Sequence, residues 1–124
     1  MKDIKVKDVV EFIMCYRRGK AFVDWTYDQT VMAMFNGYKT GNVAHTINPL
    51  TEKIDGVIMF EIDNDYKVVH INHILTTSRA ALKKFVQAFK LLYPGWDLQG
   101  NRGEKGLVRY WNTPRLCKLI SLRS

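Results

Sequence analysis

The residues of this chain best suited to chemistry lie in one run, Ile74-Leu75-Thr76-Thr77-Ser78-Arg79, where an extended apolar stretch gives way to an amphipathic one. Thr76, Thr77 and Ser78 each fit the cap of a helix and each carry a hydroxyl. A helix start presents unpaired N–H groups and the positive end of the backbone dipole, so such a junction favours an anion, and phosphate above all. Arg79 and Lys83 add positive charge close by. A plainer reading of the same residues, that they only cap the helix, stands beside the first.

The elements that must position this junction follow from spacing. Before it, three extended runs, Asn42 to Ile47, Asp55 to Ile62 and Lys67 to Leu75, are separated by Asn48-Pro49-Leu50-Thr51 and by Asp63-Asn64-Asp65, which predicts an antiparallel meander. After it, Leu82, Phe85, Val86 and Phe89 recur at the spacing of one helix face, with Pro94-Gly95 beyond the end. Trp96 to Gln99 then reads as a short strand, Glu104 to Trp111 as a short helix and Arg115 to Leu122 as a last strand. The first strand, crossover helix and parallel strand form a right-handed unit. Towards the N-terminus, Val6, Val9, Val10 and Ile13 predict a helix from Asp3 or Lys5 to about Arg18. A second helix is predicted from near Asp28 to Asn36, with Val31, Met34 and Phe35 inward and Gly37 and Gly41 breaking it. Ala21 to Trp25 reads as short and extended. The expectation is one α/β domain over residues 1–124, a helical part at 3–38 and a sheet with its long helix at 42–122, helices on both faces.

Length and composition agree: 124 residues suit a single domain, and 47% hydrophobic with 25% charged residues is a globular balance. No apolar run approaches the roughly 20 residues that span a bilayer, and Met1-Lys2-Asp3-Ile4-Lys5 lacks a signal-peptide core, so a cytoplasmic location and no membrane partner are expected. Cys15 and Cys117 lie far apart and read as reduced thiols, packed or partly packed. The net charge of +7 is uneven. Residues 1–78 hold nine Lys/Arg and ten Asp/Glu, whereas 79–124 hold ten and two. That field favours an acidic protein, a phosphorylated cofactor or nucleic acid, or serves solubility alone. Trp96, Arg102, Lys105, Arg109, Tyr110, Trp111 and Arg115 interleave cations with rings, as a single-strand binder would. Hydrolase, dinucleotide and Walker signatures are absent from the sequence.

The element order resembles the GCN5-related N-acetyltransferase (GNAT) superfamily over roughly Gly41 to Leu122. That resemblance implies a mixed sheet, a meander followed by β-α-β-α-β, and acetyl-CoA held by its pyrophosphate at the long helix's N-terminus. The implied cofactor contacts are Ile74, Leu75, Thr76, Thr77, Ser78, Arg79, Lys83 and Asn101. The family loop reads Gln/Arg-x-x-Gly-x-Gly/Ala, and here those slots hold Ile74, Thr77 and Arg79, so its phosphate-cradling glycines are replaced. Tyr110, four residues after Gly106, stands where the family places the acid that protonates the leaving thiolate. Asn101 is two positions from the family's Asn, and Asn112-Thr113-Pro114 replaces Gly-Phe.

An amine acceptor must be neutral to react, which calls for a base such as His70, His73 or Glu61 on the central strands. Strand alternation places His70 with Asn72 on one face and His73 with Ile71 and Leu75 on the other, which excludes a metal held by both imidazoles. Each His otherwise reads as a hydrogen-bonded structural residue. Three functions follow: an acyl-coenzyme A N-acyltransferase acting on an amine; a GNAT-like fold without catalysis, acting in interactions as small bacteriophage proteins of this kind do, in the virion or the host cytoplasm; and a basic nucleic-acid-binding module.

Overall fold

The structure, a computed structural model, describes residues 4–17, 21–101 and 107–109. Among them, α1 (Val6–Tyr16) and α2 (Tyr27–Thr40) lead into β1 (Val43–Ile47), β2 (Ile54–Asp63) and β3 (Val68–Thr76). Then come α3 (Arg79–Leu92), β4 (Asp97–Asn101) and β5 (Leu107–Arg109). The strands form one mixed sheet in the order β1-β2-β3-β4-β5, with β3 and β4 parallel and the other neighbours antiparallel. None of the described helices is long and apolar enough to cross a membrane.

The sheet separates two cores. On one side Phe85, Val86 and Phe89 of α3 pack on Ile58, Phe60, Val69, Ile71 and Leu98. On the other, Val9, Val10, Phe12 and Ile13 of α1 and Met34 of α2 cover Val43, Val57 and Leu75. Helices therefore lie on both faces, as the sequence predicts.

Helix α2 departs from expectation. It opens with a capping box, in which Thr26 Oγ1 accepts from Gln29 N–H at 3.1 Å and Gln29 Oε1 from Thr26 N–H at 2.9 Å. It then runs past Asn36 and through Gly37, ending only at Gly41, whose φ of 78° is the left-handed conformation of a helix C-cap. A glycine inside a helix costs about 1 kcal/mol relative to alanine, and the compensation is close packing. A Cβ on Gly37 would sit 2.1 Å from Val43 Cγ2, so only glycine lets α2 lie this near β1. Phe35, expected inward, is exposed; the inner face is Thr30, Met34 and Gly37.

Three further expectations are corrected. Residues 21–25 bend and turn instead of extending, and Phe22 adopts a φ of 61° while fully buried. Arg17 holds this turn by donating from Nη1 to the carbonyls of Phe22 and Trp25. Cys15 is an exposed free thiol, whereas Cys117 lies outside the described residues. The helix predicted over Glu104 to Trp111 is a strand at Leu107–Arg109, paired antiparallel with β4. Eight residues are too few for a helix to hold itself, whereas the free edge of β4 offers a ladder of unmet hydrogen bonds to a Leu-Val pair. A hairpin thus replaces the second crossover among the described residues. Tyr110 and the strand expected at Arg115 to Leu122 lie outside them.

Two bulges decide which side chains face where. Between β1 and β2, Thr46 pairs with Gly56 and Ile47 with Ile54, so Asp55 is the extra residue. Between β2 and β3, Met59 pairs with His73 and Phe60 with Ile71, which leaves Asn72 extra. Each bulge shifts the two-residue alternation by one position. Val69 and Ile71 face α3, and beyond the bulge Ile74 faces α3 while Leu75 joins the α1/α2 core.

Candidate functional site

The junction predicted from sequence forms at the C-terminal end of β3. Ser78 is the N-cap of α3, its Oγ accepting from Ala81 N–H at 3.2 Å. Thr77 is drawn back to β2: its N–H and its hydroxyl both donate to the Asp55 carbonyl, at 3.0 and 3.3 Å. Neither donor is then available to a ligand, and the Thr77 hydroxyl is turned away from the helix end. The N–H groups of Arg79 and Ala80 have no partner among the described residues, and the exposed Arg79 stands beside them. Lys83 is one turn further along α3. Ile74 packs against the α3 core and Leu75 is buried in the other, so these two can offer a ligand their backbone only.

The geometry around this helix start comes from the Asn72 bulge. Pairing of β3 with β4 runs from Val68↔Asp97 to Ile71↔Gly100 and ends where the bulge begins. From Asn72 to Thr76, β3 has β2 on one side and no described strand on the other. Among the described residues an open strand edge therefore leads straight to the start of α3, and Asn101 ends the neighbouring β4.

Asp55, which sequence reading treated only as the first residue of a strand, anchors the whole junction. Its bulge turns the carboxylate to the α3 side, where it accepts from the Thr46 hydroxyl and from Lys84 Nζ, the latter at 3.2 Å. Lys84 also donates to the Ile47 carbonyl at 2.9 Å, so one ammonium ties α3 to both β1 and β2. A single carboxylate opening the otherwise apolar run Asp55-Gly56-Val57-Ile58-Met59-Phe60 was the available signal.

The two histidines of β3 share a face, contrary to the alternation argument. Val69 and Ile71 on either side of His70 face α3, so His70 faces the α1/α2 side. The bulge then returns His73 to that same side. His73 lies 4.8 Å from the Phe22 ring and 5.1 Å from Trp25, centroid to centroid. His70 Nε2 stands 4.0 Å from Asp63 Oδ2 and pairs across the ladder with Glu61. They remain in separate surroundings, one against aromatic rings and one among polar groups. No cluster of three or more His, Cys, Asp or Glu able to hold a metal is present among the described residues.

Burial lowers the His73 pKa below its ordinary 6.5, and the same cause lowers that of His45. His45 Nδ1 is 2.6 Å from the hydroxyl of Tyr38, whose own pKa burial raises. Well above pH 6.5 both imidazoles are neutral in folded and unfolded chains alike. As the pH falls below that value the unfolded chain takes up protons that the folded chain resists, so stability is lost on acidification. Melting temperature should therefore fall from neutral pH to about pH 5, and His73→Gln should flatten the decline. A melting temperature that holds steady across that range in the parent would contradict this.

Comparison with models of known protein families, with curated protein sequences and with solved structures finds no match for this chain.

Proposed function

We propose that the chain binds an acyl-coenzyme A along the open edge of β3 and transfers the acyl group to an amine. The observation that carries this reading is the bulge-terminated pairing of β3 with β4 directly beside the start of α3. An unpaired strand edge offers alternating N–H and C=O groups to an amide-bearing arm, and coenzyme A has such an arm ending in a thioester. The phosphates at its other end suit the free N–H groups of Arg79 and Ala80 and the Arg79 guanidinium. Thr77 occupies a slot where the resembled family has glycine, but its hydroxyl turns back to Asp55, which relieves the crowding that its side chain would impose.

In the transfer, the amine nitrogen attacks the thioester carbonyl, and the new C–N bond forms as the C–S bond breaks. The nitrogen gives up a proton, for which His73, kept neutral by burial, and the half-buried His70 are the candidate bases. The thiolate takes up a proton, the role that the resemblance implies for Tyr110.

A second reading has its own support. Thr77 and Ser78 spend their polar groups on the fold, which is what a scaffold that acts through interactions alone would show. Calorimetric titration with acetyl-CoA separates the two. Saturable heat that Arg79→Glu reduces more than tenfold is the expected result. No heat and no thermal shift at millimolar acetyl-CoA would leave the non-catalytic reading. If neither ligand nor acidic protein binds but single-stranded nucleic acid does, with affinity falling steeply as salt rises, the basic C-terminal third is the working surface.

A further inference from the structure

A second feature grows out of the same bulge on the α1/α2 side of the sheet. The last two turns of α2 stand off from β2 and β3 there and leave an open cleft of about 460 Å³. Asn36, Gly37 and Thr40 form its helical wall; Met59, Glu61 and Asn72 form its strand wall. The tight contact of Gly37 with Val43 sets how closely the helix approaches at this point.

The polar groups here are mostly acceptors. Asn72 Nδ2 donates to Glu61 Oε1 at 3.2 Å, which fixes the carboxylate and leaves its other oxygen without a partner among the described residues. Asn72 Oδ1 is then an acceptor. The Thr40 hydroxyl donates to the Asn36 carbonyl at 3.0 Å, so its remaining lone pair accepts as well. Asn42, deeper in, is committed, its Nδ2 bound to the Phe60 carbonyl at 2.9 Å. The helical wall is the C-terminal end of α2, the negative end of its dipole. Among the described residues, the lining contains one carboxylate and no Lys or Arg, on a chain whose net charge is +7. Against these acceptors lie the apolar surfaces of Met59 and Ala33.

We infer that this cleft is a binding site for a small primary ammonium carrying a short apolar substituent. The ammonium donates to Glu61, Asn72 and Thr40, and the substituent lies on Met59 and Ala33. A carboxylate, a helix C-terminus and neutral acceptors together favour a cation that donates several hydrogen bonds, and disfavour an anion. The site stands on its own lining and not on the coenzyme reading. If both hold, Asn72 belongs to both, and the ammonium site supplies the acyl acceptor.

The test is calorimetric titration of the parent chain with n-butylamine at neutral pH and no acetyl-CoA, with n-butanol as the uncharged isostere. The expected result is saturable binding of butylamine and none of butanol. Glu61→Gln, at an exposed position and confirmed folded by an unchanged melting temperature, should weaken butylamine about tenfold. Equal binding of the two probes, no saturable binding of butylamine, or an affinity that Glu61→Gln leaves unchanged would each overturn the proposal. Because acetyl-CoA is absent, these outcomes are distinct from failure of the coenzyme titration. For a chain that misfolds on substitution, the comparison of butylamine with butanol on the parent decides alone.

Discussion

Replacing Lys84 by methionine should cost the fold about 3–4 kcal/mol, measured as the shift in a urea unfolding curve, because it leaves a buried carboxylate without its cation. The asymmetry of the pair makes the prediction specific. The Asp55 side chain is 8% exposed and the Lys84 side chain 39%. Removing the lysine strands the group that water cannot reach, whereas Asp55→Ala strands an ammonium that can rehydrate, at a cost of about 2 kcal/mol. The more exposed partner is thus the more costly one to delete. The double variant should lose less than the sum of the two single losses, since each change removes the other's unpaired charge. Equal losses for the two single variants would mean that the ion pair is not buried as described. Asp55 also receives both donors of Thr77, so Asp55→Asn, which keeps the backbone, should preserve the start of α3 better than a deletion of Gly56 nearby.

Gly37→Val should cost about 3 kcal/mol by the same measurement, near the upper end for overpacking a well-filled site. Opposing terms meet here. Gly37→Ala gains about 1 kcal/mol of helix propensity, but its Cβ would lie 2.1 Å from Val43 Cγ2, so the clash wins and the net effect is a loss. Valine adds a branched side chain to the same contact. Val43→Ala placed with Gly37→Ala should recover most of the loss, because the atom met first is gone. A Gly37→Ala variant as stable as the parent would show that α2 can lift from β1 at little cost. Since Gly37 lines the ammonium cleft, these variants should weaken butylamine as well.

Most of the scaffold was legible in the sequence, because it rests on local pattern. The apolar spacing of α1 and α3, the meander of β1 to β3 and the crossover into β4 all follow from periodicity and turn residues. The errors have a common origin in long-range packing. Gly37 reads as a helix breaker until Val43 is seen against it. The segment Leu107–Arg109 reads as part of a helix until the free edge of β4 is known. His70 and His73 read as opposed because alternation assumes an unbroken ladder, and the sequence Ile71-Asn72-His73 gives no sign that one residue is extra. The candidate site was legible in place and not in detail. Thr76, Thr77 and Ser78 do mark a helix start, yet only the fold shows that Ser78 alone caps it and that Thr77 is bound to Asp55. The cleft at Glu61 and Asn72 had no local signature, since its walls are contributed by segments as far apart in sequence as Ala33 and Asn72.

The strand order β1-β2-β3-β4-β5 has a consequence for how the chain reaches this structure. Every described strand pairs with its predecessor in sequence, so among the described residues no ladder waits for a distant segment. Among the described strands, the largest loop to be closed is the crossover through α3. Loop-closure entropy is therefore paid in small instalments, and folding on the order of milliseconds is the expectation for a mixed domain of such local topology. The sheet can grow one strand at a time as the chain leaves the ribosome, with the segments of α1 and α2 already synthesised and ready to fold onto its first face.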